Sequence, residues 1–370
     1  MKIYHLVSNK EWGGGEQTVL DLSRRQLADG IAIELFCLPS DAIKEKFLEL
    51  NVPIHTLPLH GALDFVSAWK MSKILKHSDA SAINAHNFKE AFTAAYARCL
   101  SGRKDIRLVM CRNLTRVGKT SKLYQWLYNQ IDSIVFDSQL AMDVFMSSRP
   151  RINRDKMRVI FNAVVVPDKI EKADLRGEFN IPDSEAVVMY HGRLNPEKGL
   201  DVLIEAVALV SDKPFRLVLV GRGSDEYTRQ LKSLVAARGL TDKVFFAGFR
   251  NPVLAYVAAC DIGVLPSIVR EGCSLAAQEH MSQGHPIIAT NNGGQREYIR
   301  DCKNGLLVPP DDAENLAFAI AKLVDDIPLR QQMGIEAKAD YDRYLNYDHF
   351  YEQIKTIYTP SIPSNKTLET

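Results

Sequence analysis

The sequence has no uncharged apolar run approaching about 18 residues, so no segment reads as a membrane span. Its opening, MKIYHLVSNKEW, passes from a strand-like run to polar residues too soon for a signal peptide or anchor. Net charge is almost absent: 46 Lys+Arg against 45 Asp+Glu leave +1. That excludes the polyelectrolyte field of a general nucleic-acid binder, and any basic surface must be local. Cysteine is sparse. Cys37, Cys99, Cys111, Cys260, Cys273 and Cys302 form no close pair and show no metal-ligand spacing among themselves, which excludes a disulfide scaffold and points to a reducing compartment. Repeats of about 20 to 50 residues and low-complexity tracts are also missing, which excludes solenoids and propellers. What is present is ordinary globular material, 46% hydrophobic and 25% charged over 370 residues, enough for about two domains. A cytoplasmic protein is expected, peripheral to the inner face of a membrane rather than crossing it.

Short runs rich in Val, Ile, Leu and Phe recur between segments of helical spacing, the pattern of parallel strands covered on both faces. In the first half they are Lys2–Val7, Ile31–Leu38, Ala82–Ala85, Arg107–Cys111, Ser133–Phe136 and Arg158–Phe161. In the second half they are Ala186–His191, Phe215–Val220, Lys243–Ala247, Ile262–Leu265 and Pro286–Thr290. Between the halves, residues 162–183 lose the periodicity around Pro167, Gly177 and Pro182. The expected architecture is α/β, with two doubly wound Rossmann-like domains in tandem, over 1–166 and 167–345. A helix over 346–359 and a frayed tail over 360–370 complete the expected chain. Ligands bind at the carboxyl ends of such sheets, so the active site is expected in a cleft between the domains.

The chemistry gathers in the turns that follow strands. Gly13-Gly14-Gly15-Glu16 carries the first strand into a helix, where bare amides and the helix N-terminus can meet an anion. It is not GxGxxG and lacks a ribose-binding acid about 20 residues on, so no nicotinamide cofactor is expected. In His191-Gly192-Arg193-Leu194-Asn195-Pro196-Glu197-Lys198-Gly199, Arg193 and Lys198 stand across a loop from each other and can address one diphosphate. Such cations are usually solvated surface; their place after a strand argues otherwise. Gly221-Arg222-Gly223 and Gly248-Phe249-Arg250 end further strands, each turn weak alone and informative jointly.

Glu271-Gly272-Cys273-Ser274-Leu275-Ala276-Ala277-Gln278-Glu279 is the strongest signal. Eight helical steps put its two acids about 12 Å apart with a roughly 80° offset, along one side of a groove. The amides of Cys273, Ser274 and Leu275 stand where a helix N-terminus receives phosphate oxygens, while the acids accept sugar hydroxyls. A bland alternative has Glu271 answering the helix dipole and Glu279 facing solvent.

These motifs resemble the retaining nucleotide-sugar glycosyltransferases of GT-B architecture in the family four group. The likeness rests on the Gly-Arg-(four residues)-Lys-Gly turn at 192–199, Gly221-Arg222-Gly223, Gly248-Phe249, the Glu-(seven residues)-Glu element, the N-terminal glycine turn and Asn162. The resemblance implies that Arg193 and Lys198 hold the diphosphate as it leaves, that Glu271 contacts the donor sugar and Glu279 the ribose. It implies that the domain over 1–166 binds the acceptor and the domain over 167–345 the nucleotide sugar, that Gly15 approaches the phosphate, that backbone near Arg250 meets the base and that His86 lies near the transferred sugar. The alternative for His86 is a satisfied structural histidine. Retention is implied by the resemblance only.

The reaction expected is transfer of a hexose or N-acetylhexosamine, UDP-linked in preference to GDP-linked, to a glycan or lipid-linked acceptor. No cofactor and no metal are expected. The one Asp-x-Asp, Asp340-Tyr341-Asp342, sits in a helical pattern where residues two apart share no face. From Arg98 to Arg158 there are 13 Lys/Arg against 5 Asp/Glu, a basic stretch including Arg116, Lys119 and Lys122 near Trp126 that would attract an anionic membrane surface. A nucleotide-sugar-binding protein without transfer activity, a same-fold epimerase and a phosphorylase are the competing readings.

Overall fold

The structure, a computed structural model, describes residues 1–9 and 12–359. The tail 360–370, with its expected fraying, and Lys10 and Glu11 of the first glycine turn lie outside the described residues. Strands β1 (Lys2–Val7), β2 (Ala32–Cys37), β3 (Ile54–Thr56), β4 (Ala82–Ala85), β5 (Arg107–Arg112), β6 (Ser133–Phe136) and β7 (Met157–Val159) form a parallel sheet in the order β3-β2-β1-β4-β5-β6-β7. Strands β8 (Ala186–His191), β9 (Phe215–Val220), β10 (Val244–Gly248), β11 (Ile262–Leu265), β12 (Ile287–Thr290) and β13 (Gly305–Val308) form a second parallel sheet, β10-β9-β8-β11-β12-β13. Both follow the doubly wound order, the first with one added edge strand. In each, direction along the sheet reverses beside its first strand, between β1 and β4 and between β8 and β11.

The strands are buried on both faces: every residue of β4, β6, β8, β11 and β12 is buried. Helices on either side supply the cover. In the first sheet Phe36, Phe92, Phe136 and Phe145 share one core; in the second Leu203, Ile204, Leu217 and Val264 do. Two edge strands, β3 and β13, were not expected. Ile54-His55-Thr56 is only partly buried and too short for periodicity to register, and Gly305–Val308 follows a polar turn.

By contacts the chain divides into two compact units: Met1–Asp137 with Ala141–Phe161 and everything from Asp348 on, and Ser138–Leu140 with Asn162–Tyr347. The division falls at Phe161, ahead of Pro167. The helix Tyr347–Tyr358 does not stand apart: from Asp348 it belongs to the first unit. Tyr351 donates its hydroxyl to Asp29 at 2.9 Å, Arg25 pairs with Asp348 at 2.9 Å, and the Asn84 amide donates to the Tyr358 hydroxyl at 2.7 Å. Among the described residues no helix is long and apolar enough to cross a membrane.

Candidate active site

In the second unit the turns after β8, β9 and β10 are laced together by backbone. The Gly192 amide donates to Val220 at 3.0 Å, Leu194 to Arg222 at 2.8 Å and Gly221 to Gly248 at 2.8 Å. This explains the glycines. A Cβ on Gly221, at φ +144°, would lie 1.8 Å from the Gly192 carbonyl oxygen, and one on Gly223 would lie 2.0 Å from that of Leu194. Gly199, at φ +63°, caps the helix Leu200–Leu209, and a Cβ there would lie 2.2 Å from the Pro266 carbonyl oxygen. Close packing of turn on turn therefore demands glycine at these positions, independently of any ligand.

That packing brings the end of β8 beside the end of β11, the point where the sheet reverses. Lys198 donates to Glu271 at 2.7 Å, each side chain about one-fifth exposed (21% and 22%). Ser267 donates its hydroxyl to the same carboxylate. Arg193 is exposed, with its carbonyl held by the Tyr190 hydroxyl at 2.8 Å. The helix Leu275–Ser282 carries Glu279, which pairs with His191 Nε2 at 2.5 Å. The other ring nitrogen of His191 is buried without a partner, so the tautomer that donates from Nε2 to the carboxylate is the one the site accommodates. The two acids are thus each held by a side chain from the β8 end, Lys198 for one and His191 for the other.

One expectation is corrected here. The Ser274 amide is not open to an anion, because it donates to the buried Tyr298 hydroxyl at 3.1 Å, while its side chain caps Ala277 at 3.4 Å. Cys273 Sγ lies 3.6 Å from the Asn162 carbonyl, which also accepts the Gln278 amide at 2.6 Å. Leu275 begins the helix, where amides lack partners within the helix itself. The neighbouring turn approaches closely: a Cβ on Gly294 would sit 2.2 Å from the Gly272 carbonyl. Farther along the sheet, Phe249 is 58% exposed with the Arg222 guanidinium 5.2 Å from its ring centre. The Arg250 guanidinium is tied to Glu178 and lies over Tyr256, which leaves backbone as what Arg250 offers.

The first unit builds a matching feature at the reversal between β1 and β4. Gly14 and Gly15 open the helix Gly14–Ala28, and a Cβ on Gly15 would meet nothing within 4 Å. His86 follows β4; its ring stacks on His5 at 6.0 Å, and its Nε2 is enclosed without a partner. Burial holds the imidazole down to about 3, so it is neutral at physiological pH.

Sequence reasoning missed the residue that fixes this corner. Buried Glu90 accepts from the amides of Ser8 at 2.6 Å, His86 at 2.5 Å and Asn87 at 3.1 Å, and from the Asn87 side chain at 2.6 Å. Burial pushes its carboxyl up to about 7, against those four donors. The signal was an Asn-x-x-Glu capping box at the start of the helix Phe88–Ser101. His191 and Tyr298 were missed because each lies far in sequence from the acid or amide it holds, 88 and 24 residues away. Ser267 is only four residues from Glu271, but a lone serine after a strand carries no pattern of its own.

The Asp-x-Asp residues diverge: Asp340 pairs with Arg300 at 2.7 Å and Asp342 with Lys338. In the first unit a cleft of about 970 Å³ opens at the carboxyl ends of β1, β2 and β3, lined by Ser8, Asn9, His60, Lys70 and Lys89 among others. Much of the basic stretch 98–158 is already engaged. Arg98 pairs with Asp132 at 3.1 Å, Arg103 with Asp105 at 2.7 Å, Lys156 donates to three carbonyls, and Arg112 lies buried against Phe88 and Phe145.

Two family descriptions match the chain: Glycosyltransferase Family 4 over residues 12–166 and Glycosyl transferases group 1 over 171–340. An uncharacterized glycosyltransferase of Methanocaldococcus jannaschii, MJ1607, is 28% identical over 213 residues, 55% of this chain and 54% of that one. The lipopolysaccharide core biosynthesis glycosyltransferase LpsE of Rhizobium meliloti is 34% identical over 159 residues, 43% of this chain and 45% of its own. The chain spans about half the length of the curated relatives it matches. Anabaena HepE, solved in complex with UDP, superposes with a TM-score of 0.82 at 23% identity, covering 96% of this chain and 99% of HepE. With one family description on each parallel sheet and the doubly wound order in both, the chain belongs to the glycosyltransferases of GT-B architecture.

Proposed function

We propose that the protein transfers a hexose or N-acetylhexosamine from a nucleotide sugar, UDP-linked in preference to GDP-linked, to a glycan or lipid-linked acceptor. The reading includes retention of anomeric configuration and a role in building cell-surface polysaccharide or lipopolysaccharide at the cytoplasmic face of the membrane. The observation that carries it is the joint placement of Arg193, Lys198 and Glu271 at the β8 and β11 ends, where a doubly wound sheet receives its ligand. As the nucleoside diphosphate leaves the anomeric carbon, negative charge builds on its oxygens. Arg193 meets that charge from its exposed position and Lys198 once the bound diphosphate has drawn it off Glu271, and cations aimed at developing charge lower the barrier. These two cations do the work a divalent metal does elsewhere, so the transfer is metal-independent. Glu271 accepts from a sugar hydroxyl, Glu279 with His191 behind it takes the ribose, and exposed Phe249 offers a face to the base. The LpsE likeness and the UDP held by HepE support the substrate classes.

For the acceptor, the first unit's cleft with Lys70 and Lys89 suits an anionic group, as on a phosphorylated lipid carrier. Nearby, the helix Phe65–Lys76 leaves Phe65, Val66 and Trp69 more than half exposed, with Lys73 3.6 Å over the Trp69 ring. Aromatic and aliphatic side chains beside lysine are what an anionic bilayer interface takes up. Tyr96, in ring contact with both Phe65 and Trp126, joins this face to the helix Lys122–Gln130, which brings exposed Lys122 of the basic stretch 98–158.

The test is a thermal-shift panel of UDP, GDP, ADP and dTDP with their sugars, using Arg193→Ala as control. A ligand at a hundredfold excess over its Kd stabilises by about 2.7 kcal/mol. A shift with UDP that is lost in Arg193→Ala, followed by transfer to a glycan or lipid acceptor, is expected. No shift with any nucleotide refutes the donor assignment; a shift without turnover favours the non-transferring binder.

A further inference from the structure

A second polar cluster lies beneath the helix that bears Glu279. Cys260 stands just ahead of β11, His280 is in the helix Leu275–Ser282, and His285 is in the loop leading to β12. Their donor atoms all lie within 4.8 Å of one another. Both imidazoles present Nδ1 to the sulfur: Cys260 Sγ is 3.6 Å from His280 Nδ1 and 3.5 Å from His285 Nδ1. Cys260 and His280 are buried and His285 is partly exposed, which leaves one side for entry.

We propose that Cys260, His280 and His285 form a binding site for a borderline-soft divalent transition ion of the zinc class, one that fastens the Glu279 helix to the sheet. Three points support it. Thiolate and imidazole are the donors such ions prefer, and three protein ligands leave a fourth position for water. The spacing fits: Zn–S of about 2.3 Å and Zn–N of about 2.0–2.1 Å at a tetrahedral angle put sulfur and nitrogen about 3.6 Å apart, against 3.6 and 3.5 Å here. The third point is a built recess. Gly263 on β11 has no room for a side chain, since its Cβ would fall 2.6 Å from His280 Cγ and Cδ2. Glycine at that strand position lets the His280 ring lie against the backbone and aim at Cys260.

The nearby charges divide. Asp261 is an anion beside the cluster, but its carboxylate is held by Arg176 at 3.1 Å and the Val187 amide at 2.7 Å, and exposed Lys172 opposes a cation. The three named donors must therefore supply the affinity. Such an ion would join three successive segments, strand entry, helix and following loop, next to the His191–Glu279 pair; the His191 and His280 ring centres are 5.0 Å apart.

The inference does not depend on the transferase reading, and its test does not read activity. Tag-free, fully reduced protein is titrated with Co²⁺, then competed with Zn²⁺, while absorbance and the thermal midpoint are recorded. Expected is one equivalent of Co²⁺ with visible bands of a tetrahedral site and a thiolate-to-metal charge-transfer band, displaced by Zn²⁺, which raises the midpoint. Cys260→Ser abolishes the charge-transfer band, and His285→Ala, at the more exposed corner, weakens binding by more than about a hundredfold, since even indirect ligand partners contribute about 10- to 100-fold. The proposal is overturned if folded wild-type protein shows neither bands nor shift, or if Cys260→Ser and His285→Ala bind as wild type does.

Discussion

Replacing Glu271 by Gln separates binding from chemistry. In the free site the Lys198 ammonium is held by Glu271 at 2.7 Å, with both side chains about one-fifth exposed (21% and 22%). A diphosphate that enters must draw the ammonium away from this carboxylate. Exposed pairs are worth about 0.2–1 kcal/mol, and this half-sheltered one belongs near the upper end. Removing the charge should tighten nucleoside diphosphate by about 1 kcal/mol, roughly fivefold in Kd. Turnover should move the other way. Losing a charged acceptor for a sugar hydroxyl costs about 1.5–3 kcal/mol, on the order of 10- to 150-fold. Lys198→Ala should weaken the diphosphate and lower turnover by about 10² to 10³. The assay is calorimetric titration of UDP into wild type, both single variants and the double variant, alongside initial transfer rates. In the double variant the gain from Glu271→Gln should shrink to whatever general charge repulsion leaves. Unchanged or weaker UDP binding in a folded Glu271→Gln protein would refute the placement of Lys198 against the diphosphate.

Other consequences can be checked separately. Gly199→Ala puts a Cβ 2.2 Å from the Pro266 carbonyl at φ +63° and should lower stability by on the order of 2–4 kcal/mol in urea unfolding. Glu90→Gln turns an amide toward three backbone donors and should cost about 1–3 kcal/mol, with the loss confined to thermal unfolding if Glu90 has no part in transfer. Acid should destabilise the fold. Burial lowers buried His5 to about 4, so as pH falls from 6.5 the unfolded chain takes its proton first and up to about 3 kcal/mol is lost by pH 4. Glu90, pushed up to about 7, opposes this by gaining stability as pH falls from 7; His86, pushed down to about 3, adds to the His5 side. His5→Gln should flatten the pH dependence of the urea midpoint, and an unchanged slope would contradict the assignment. Trp69→Ala with Phe65→Ala should lower partition onto anionic vesicles at low salt, read by co-sedimentation, if that face meets a membrane.

What was legible in the chain follows from the range of each interaction. Buried parallel strands announce themselves locally, because both faces select Val, Ile, Leu and Phe, and eleven of the thirteen strands among the described residues were found that way. The two that escaped, Ile54–Thr56 and Gly305–Val308, are edge strands of three and four residues. Turn motifs were equally visible, yet part of their meaning was not. Gly221 and Gly223 invite a phosphate-binding reading, whereas a Cβ on either would collide with the neighbouring turn at 1.8 and 2.0 Å. Glycine there is a condition of the architecture first, and it admits a ligand only as a consequence. Glu271 and Glu279 were read as a pair spaced by eight helical steps, but Glu271 lies in the loop ahead of the helix Leu275–Ser282 and only Glu279 is in it; their partners, Lys198 and His191, lie 73 and 88 residues away. No local pattern carries a contact of that separation. The same holds for Cys260, whose scattered cysteine relatives suggested no ligand set until the helix and loop placed His280 and His285 against its sulfur. The Ser274 amide shows the opposite failure: the helix start was right, and a tyrosine 24 residues on had already taken the donor. The side chains at the sheet's reversal point could be named one by one from the sequence, but which of them pair there follows from the strand order, and that order is not written in any local segment.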